Sequence, residues 1–437
     1  MQVMKWSVIA MAVAAGTSQM AFASSQSESE GFVEGSSLTV LNRNLYMNRD
    51  ARDDGFSRDD GIDGNRQSYR EEWGHGFIGT FESGFTQGTI GVGVDAIGLL
   101  GVKLDTGRGR RGNGLFPTGS DSRAQDDYSE AGAAVKFRAS DTVLKYGTQF
   151  VALPVFSTDD SRLLPETAQG AIITSSEISG LELNAGRFTQ LNAQDQTYHD
   201  SVGLDEINFV GGTYALSDSL SSSLYYSDVE DAFEKYYGNV NYSMALGGDQ
   251  SLAFDFNIYQ TEYESEFTGN GSDEDNTIWS LAATYGMAGH KFTAAYQKSH
   301  GGYFSVNDDG DLYQTGYAYG VDGGGTVWLA NSVQYSDYNN KDEQSWQVRY
   351  DLDMATYGVD GLSFMTRYVS GSNIDMPVGS DGEESEWDIE GKYVFQSGPA
   401  KDLSLRVRQA FYQSNDALGN TDLSDTRLIV EYPLSIL

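Results

Sequence analysis

The stretch that decides the fold reads Ser251-Leu252-Ala253-Phe254-Asp255-Phe256-Asn257-Ile258-Tyr259-Gln260. Large apolar side chains occupy every second position from Leu252 to Ile258, and mostly small or polar residues stand between them. Because successive residues of a β-strand point to opposite faces, this alternation predicts a strand with one apolar and one polar face. The same period recurs in residues 236–246, 345–352, 402–412 and 425–436.

A soluble β-sandwich also produces such alternation, but two features favour a barrel in a membrane. The segments are about ten residues long, which is the length that a tilted membrane strand requires. Aromatic residues cluster near the segment ends, as they do at the two interfaces of membrane barrels; they include Tyr236, Trp346, Trp387, Phe411 and Tyr432. A sheet in lipid has to close on itself, because lipid cannot hydrogen-bond with an open edge.

Nineteen segments of the chain are candidate strands. Bacterial barrels formed by one chain have an even number of strands, and short periplasmic turns alternate with long outer loops. Residues 327–336 have long connections on both sides and break this alternation, so we assign them to an outer loop of about residues 300–344. The prediction is an all-β fold, an 18-stranded antiparallel transmembrane β-barrel with long extracellular loops, some folded inward. The predicted strands are residues 37–46, 76–85, 87–99, 131–138, 142–150, 169–178, 181–188, 207–216, 220–229, 236–246, 251–260, 277–287, 291–299, 345–352, 361–370, 387–395, 402–412 and 425–436.

The composition excludes several classes of protein. The 437 residues include 28 Lys and Arg against 63 Asp and Glu, which gives a net charge of −35. A chain this acidic does not bind nucleic acid by neutralising phosphates. The absence of cysteine excludes disulfide scaffolds, cysteine zinc sites and thiol nucleophiles.

The N-terminal residues have the pattern of a secretory signal peptide. Lys5 precedes an apolar stretch over residues 8–15, and Ala21-Phe22-Ala23 forms a small-x-small cleavage site before Ser24. We therefore expect residues 1–23 to be a signal peptide and residues 24–437 to form a single barrel domain. A secreted chain without cysteine fits the envelope of a Gram-negative bacterium, where a barrel lies in the outer membrane.

Basic residues fall on the polar faces of the predicted strands, which would line the lumen: Arg43, Arg138, Arg349, Arg367, Lys392, Arg406, Arg408 and Arg427. A column of cations in a narrow pore attracts anions and passes them along. The alternative is that these bases pair with acids on the same wall, such as Asp388, Glu390 and Glu431. Most of the acid is expected in outer loops, for example at residues 264–275 and 381–386, so the wall would be opposite in sign to the whole chain.

Short motifs along the chain resemble those of the OprD porins of pseudomonads, also called the Occ channels. They are Gly31-Phe32-Val33-Glu34-Gly35, Ser83-Gly84-Phe85-Thr86-Gln87-Gly88-Thr89, Lys103-Leu104-Asp105, Arg162-Leu163-Leu164-Pro165 and Tyr432-Pro433-Leu434-Ser435-Ile436-Leu437. Each motif alone is weak, but their order and spacing are specific, and together they cover essentially the whole mature chain. The stretches Leu329–Asp337 and Gln396–Leu403 are similar to the OccD branch of the family.

The resemblance implies a substrate-specific outer-membrane porin without a cofactor, present as a monomer or a loose homotrimer and surrounded by lipid and lipopolysaccharide. It implies uptake of small carboxylate-containing or zwitterionic molecules, in particular basic amino acids and small peptides, with carbapenem-type antibiotics as further solutes. A basic ladder, which on the last two strands falls on Arg406, Arg408 and Arg427, would guide these solutes to a constriction.

The resemblance also assigns two loops that narrow the pore. The residues that it places in the family's pocket loop are Ser332, Tyr335 and Asp337, and those in a constriction loop of about residues 154–165 are Asp159, Asp160 and Arg162. The family's acidic pocket residue is replaced here by Gly325. This replacement should weaken selectivity for a cationic side chain, so aromatic or other organic acids are an alternative class of substrate.

An enzyme is the competing class of protein. The four histidines stand in no motif of a nucleophile and a base, and no serine lies in a Gly-x-Ser-x-Gly turn. The run from Asn307 to Asp311 lacks the terminal Glu and the spacing of a calcium loop, so no metal site is expected. An outer-membrane serine peptidase is a further alternative, whereas a purely structural barrel would leave the inward arginines unexplained.

Overall fold

Most of the chain lies in the strands of one closed sheet, in which apolar and polar side chains alternate along each strand. The computed structural model describes residues 25–52, 58–59, 66–105, 107, 110–307, 310–318, 320–321 and 325–437. Within these residues, 18 long strands form a single antiparallel sheet. The first strand pairs with the last as well as with the second, with Arg43 opposite both Glu431 and Gly76, so the sheet is a closed barrel. The prediction of an 18-stranded barrel is therefore confirmed.

The barrel strands are numbered in chain order. They are β1 (Ser37–Ala51), β2 (Tyr69–Glu82), β3 (Ile90–Lys103), β4 (Asp127–Ala139), β5 (Thr142–Gln149), β6 (Thr167–Ile178), β7 (Leu181–Asn192), β8 (Ile207–Ser217), β9 (Leu220–Val229), β10 (Phe233–Gly247), β11 (Gln250–Tyr263), β12 (Glu274–Met287), β13 (His290–Gly301), β14 (Gln344–Asp353), β15 (Leu362–Ile374), β16 (Gly382–Val394), β17 (Ser404–Ser414) and β18 (Asp422–Ser435).

Shorter elements lie in the connections between these strands. The short strand pairs are Arg58–Asp59 with Arg66–Gln67, Ala152–Leu153 with Phe156–Ser157, and Tyr303–Val306 with Leu312–Thr315. The helical turns are the α-helix Ser265–Thr268 and the 3-10 helices Met354–Tyr357 and Asp416–Leu418. Among the residues described, no helix has the length and apolar character needed to cross a membrane.

Several strands extend beyond their predicted ends toward the outer loops. β2 begins at Tyr69, although the alternation predicts a start at residue 76, and β1 continues to Ala51 instead of residue 46. The added part of β2 is charged, so hydrophobic alternation does not mark it. It is nevertheless paired across the sheet, where Glu72 lies opposite Met47.

The two faces of the barrel wall differ in polarity as the alternation predicts. On β14, Trp346 points outward and is 47% exposed, whereas the next residue, Gln347, faces the interior and is 4% exposed. Outward aromatic rings contact one another near the outer ends of neighbouring strands, at centroid distances of 5.6 Å for Trp346 and Tyr368 and 5.9 Å for Trp387 and Phe411. An apolar band with such an aromatic girdle fits lipid and its interface with water.

Two outer loops fold into the barrel. Residues 327–336 form no barrel strand, as the alternation of loop lengths predicts, and belong to the pocket loop, residues 302–343. The constriction loop, residues 150–166, joins β5 to β6. Tyr317 of the pocket loop is 2% exposed and Leu163 of the constriction loop is 0% exposed, so both loops contribute to the hydrophobic core. The signal peptide predicted from the sequence lies outside the described residues.

Candidate functional site

The constriction loop is tied to the barrel wall by Arg43. This arginine of β1 donates from its two terminal nitrogens to the Asp160 carboxylate at 2.6 and 3.0 Å, and from Nε to Glu431 at 2.9 Å. Gly76 on β2 permits the close approach of the loop, since a Cβ there would lie 2.8 Å from the Leu163 carbonyl oxygen. Arg43 and Asp160, both predicted as site residues, therefore form one structural unit.

Arg162 follows in the same loop and is held by the outer loop between β3 and β4. Its Nε donates to the carbonyl oxygen of Asn113 at 3.0 Å, and the Asn113 backbone N–H donates to the buried Glu72 carboxylate at 2.7 Å. Burial lowers the pKa of Arg162, and the positive charges of Arg427 and Arg49 lower it further. These three guanidinium groups therefore share one region of the lumen, although they come from a loop and two strands.

The predicted pocket residues Ser332, Tyr335 and Asp337 lie together in the pocket loop. The Ser332 hydroxyl donates to the Asp337 carboxylate at 2.5 Å, and the centre of the Tyr335 ring lies 5.1 Å from the Arg49 guanidinium carbon. Burial raises the pKa of Asp337, and the negative charge of Asp159 in the constriction loop raises it further. One carboxylate from each loop thus lies within electrostatic range of the other.

Gly325 lies where the two loops meet. A Cβ at this position would lie 3.1 Å from the Ser157 hydroxyl oxygen and 3.6 Å from the Asp159 Cα. The position at which the resemblance expects an acid therefore borders the constriction loop. A side chain introduced here would lie beside Asp159.

Predicted ladder residues on β14 to β17 surround a cavity of about 250 Å³ near the short-turn end of the barrel. Side chains of both charges line it: Lys291, Arg349, Arg367, Arg406 and Arg408, with Asp351, Asp353 and Glu390. The cross-strand register creates this mixture, since Glu390 lies opposite Arg408, which lies opposite Arg427. In the part of the chain that is described, no three His, Asp or Glu side chains are grouped so as to hold a metal ion.

Six of the eight predicted ladder residues pair with a carboxylate: Arg43 with Asp160 and Glu431, Arg349 with Asp351, Arg367 with Asp388, Arg406 and Arg408 with Glu390, and Arg427 with Asp425. The alternative of paired wall charges therefore describes these six residues, and the wall carries both signs of charge. Glu384 and Glu386, which we predicted in an outer loop, lie on β16 and are 4% and 1% exposed. The polar end of this strand resembles a polar loop in sequence, which explains the error.

The two remaining ladder residues have other surroundings. Arg138 donates to the Gln26 side chain at 2.9 Å, and its guanidinium carbon lies 4.2 Å from the centre of the Phe85 ring. Gln26 precedes β1, so this arginine lies at the short-turn end of the barrel and not at the constriction. Lys392 is on the inward face of β16 and forms no ion pair with the described residues.

Two charged residues of the constriction were missed from the sequence. Arg49 and Asp425 form an ion pair at 2.8 Å. Arg49 continues the inward face of β1 that contains Arg43, but the predicted strand ended at residue 46. Asp425 lies two residues before Arg427 and therefore shares its face of β18. Arg49 lies beyond the predicted end of its strand, whereas Asp425 lies within the predicted strand 425–436, where the period of two places it on the inward face.

Comparison with known proteins finds relatives over nearly the whole chain. The family model described as outer membrane porin, OprD family, matches residues 30–436. Porin D of Pseudomonas aeruginosa is 46% identical over 462 aligned residues, which cover 100% of both chains. The crystal structure of P. aeruginosa OprD has a TM-score of 0.75 at 44% identity and covers 96% of this chain and 100% of that one. The structure of P. aeruginosa OpdK with vanillate has a TM-score of 0.79 at 33% identity and covers 93% of this chain and 100% of that one.

Proposed function

The chain belongs to the OprD family of outer-membrane porins, and from this membership we propose that its solutes are small molecules with a carboxylate, in particular basic amino acids and small peptides. The protein is a channel of the outer membrane and not an enzyme, because the family consists of porins. The alternative of a serine peptidase is therefore set aside. Carbapenem-type antibiotics also carry a carboxylate and belong to the same proposal.

The observation that supports this proposal is the division of charge at the constriction. The guanidinium groups of Arg49, Arg162 and Arg427 lie close enough to influence one another, and so do the carboxylates of Asp159 and Asp337. A zwitterionic solute has one charge for each set of groups. Its carboxylate suits the guanidinium donors, and its ammonium group suits the carboxylates.

Arg406 and Arg408 are proposed as steps of a ladder for the solute carboxylate. They share a single partner, Glu390, at 2.6 and 3.3 Å, so two positive charges face one negative charge. Their side chains are 33% and 19% exposed. This partly exposed pair therefore retains excess positive charge for an anionic group.

The double variant Arg406→Ala with Arg408→Ala tests the ladder. Attraction in a charged cleft raises association rates by about 10- to 1000-fold, so we expect uptake of a carboxylate solute to fall by about tenfold or more. The measurement is the swelling rate of liposomes that contain the channel, in an isosmotic amino acid solution. Arg187→Ala is the matched control, because Arg187 pairs with Glu206 on the outward face of the barrel and its side chain is 64% exposed. An unchanged rate in the double variant would refute the ladder.

Aromatic or other organic acids are a second candidate class of solute. Gly325 favours it, since no side-chain carboxylate is available at this position for a cationic solute, and the related OpdK was solved with vanillate, an aromatic carboxylate. A panel of arginine, benzoate and succinate in the swelling assay separates the classes. Fastest entry of arginine would support basic amino acids, and fastest entry of benzoate would support aromatic acids.

We further propose that residues 1–23 are removed on secretion and that the barrel is a monomer or a loose homotrimer in contact with lipopolysaccharide. The mass of the purified protein tests the cleavage. Native mass spectrometry in detergent tests the oligomeric state.

A further inference from the structure

Asp425 on β18 joins two arginines of the barrel wall. Its side chain is fully buried and accepts from Arg49 Nε at 2.8 Å, and from Arg427 through Nε at 2.9 Å and a terminal nitrogen at 3.0 Å. Arg49 lies on β1, so this carboxylate also connects the two strands that close the barrel.

The same group holds the tip of the pocket loop. The Gln334 side-chain amide donates to the Asp425 carbonyl oxygen at 2.8 Å and to its carboxylate at 3.1 Å. In return, the Gln334 carbonyl oxygen accepts from Arg427 at 2.9 Å. Gln334 is only 7% exposed, although it belongs to a loop and is 91 residues from Asp425 in sequence.

Two further contacts hold the residues that follow Gln334. The backbone N–H groups of Tyr335 and Ser336 each donate to the Glu386 carboxylate at 2.9 Å. The Tyr335 ring packs against the Tyr412 ring at a centroid distance of 4.6 Å. The loop tip, residues 334–336, is therefore fixed to three neighbouring strands, β16, β17 and β18.

We propose that Asp425 is a positioning residue, which together with Gln334 forms a clasp that holds the loop tip and sets the width of the constriction. The Nε donors of Arg49 and Arg427 are engaged by Asp425, so these two atoms serve the clasp. Loss of the carboxylate would leave the buried Arg427 guanidinium and the 15% exposed Arg49 guanidinium without their anionic partner, which is costly in a protein interior. The loop tip would then move until water reaches these groups. The inference rests on the channel function of the family and does not depend on the class of solute.

Asp425→Asn is the first test variant, recorded as single channels in KCl without an organic solute. The substitution preserves the size of the side chain but removes the charge that holds Arg49 and Arg427. We expect a larger and noisier open-channel current, because the loop tip is released. The reversal potential in a KCl gradient should shift toward anion selectivity, because two cations lose their counter-ion.

The variant Gln334→Ala distinguishes the effect of losing the clasp from the effect of losing the negative charge of Asp425. It removes the amide that donates to the Asp425 carbonyl oxygen and carboxylate without changing any charge, so we expect the larger and noisier current with an unchanged reversal potential. The double variant should be no noisier than Asp425→Asn alone, because both substitutions open one contact. Asp351→Asn is the matched control, because Asp351 accepts at 2.6 Å from Arg349 on its own strand. It should shift the reversal potential without added noise.

Wild-type current and noise in both Asp425→Asn and Gln334→Ala would overturn the proposal and leave Asp425 as a wall charge. Folding of each variant is read from its heat-dependent migration on a gel. If Asp425→Asn does not fold, Gln334→Ala decides alone, because a quiet current of wild-type size is incompatible with a clasp. These recordings contain no organic solute, so a failure of the ladder test leaves their result unaffected.

Discussion

At the scale of single residues, the chemistry of the constriction depends on a position without a side chain. Gly325 borders Ser157 and Asp159, and the negative charge of Asp159 in turn acts on the carboxyl group of Asp337. The opposing guanidinium groups include those of Arg49 and Arg427, whose positive charges are partly neutralised by Asp425. A single added charge at position 325 would therefore change this balance by a large fraction.

Gly325→Asp should increase the preference of the channel for solutes with a cationic side chain. The new Cβ would lie 3.1 Å from the Ser157 hydroxyl oxygen, which can rotate away, and the new carboxylate would lie near Asp159. An ion pair at about 4 Å near a protein surface has a Coulomb energy of about 4 kcal/mol. One third of this energy corresponds to about a tenfold change in the affinity for a cationic solute. We expect the ratio of arginine uptake to benzoate uptake to rise by about this factor, measured as liposome swelling.

Gly325→Asn is the matched control for this prediction, because asparagine has the size of aspartate and no charge. It should leave the ratio of arginine to benzoate uptake at the wild-type value. An equal rise in both variants would mean that the size of the side chain, and not its charge, controls the selectivity.

At the scale of elements, the pocket loop ends in a buried carboxyl group. Glu343, immediately before β14, is 0% exposed. The Asn340 side-chain amide donates both to Glu343 at 2.9 Å and to Glu384 of β16 at 3.0 Å, so one donor serves two acids. Burial raises the pKa of Glu343 well above its ordinary value of 4.5, and the negative charge of Glu384 raises it further. The protonated acid therefore stabilises the docked end of the loop.

Docking of this loop end should weaken as the pH rises. A carboxyl group with a raised folded pKa contributes stability that is fully present below its ordinary pKa and is lost as the pH rises through the folded value. We expect lower open-channel noise at an acidic pH than at an alkaline pH, and the channel is recorded at one value of each. Glu343→Gln cannot ionise and should remain quiet at both. The prediction is wrong if wild-type noise is equal at the two pH values, or if the glutamine variant retains the dependence.

Alternation of side chains was sufficient to predict every barrel strand, because lipid outside and water inside impose opposite polarity on successive residues. The alternation of short turns and long loops was sufficient to place residues 327–336 in a loop. The contacts between the loops and the barrel wall could not be predicted from the sequence pattern. Gln334 and Asp425, for example, are 91 residues apart, and no local pattern marks their pairing. The start of β2 at Tyr69 was missed because charged residues at the strand end hide the period.

At the scale of the whole molecule, the two signs of charge act over different distances. The chain carries a net charge of −35, and loop acids such as Glu266, Asp273 and Asp381 are exposed. Most of the predicted ladder residues lie within 3.3 Å of a carboxylate. The fields of the two opposite charges in each pair therefore largely cancel at longer range. A distant solute therefore meets a negative field, and the alternating charges of the wall act only on a solute that has entered.

This difference in range predicts opposite salt dependence for two kinds of solute. Between 0.1 M and 1 M salt, the Debye length falls from about 10 Å to about 3 Å. The negative field attracts arginine, so the frequency at which arginine interrupts the single-channel current should fall as KCl is raised. It repels succinate, so the frequency of interruptions by succinate should rise. If succinate also enters less often at high salt, the wall cations and not the outer acids generate the dominant long-range field, because screening lowers an entry rate only when the screened field attracts the solute.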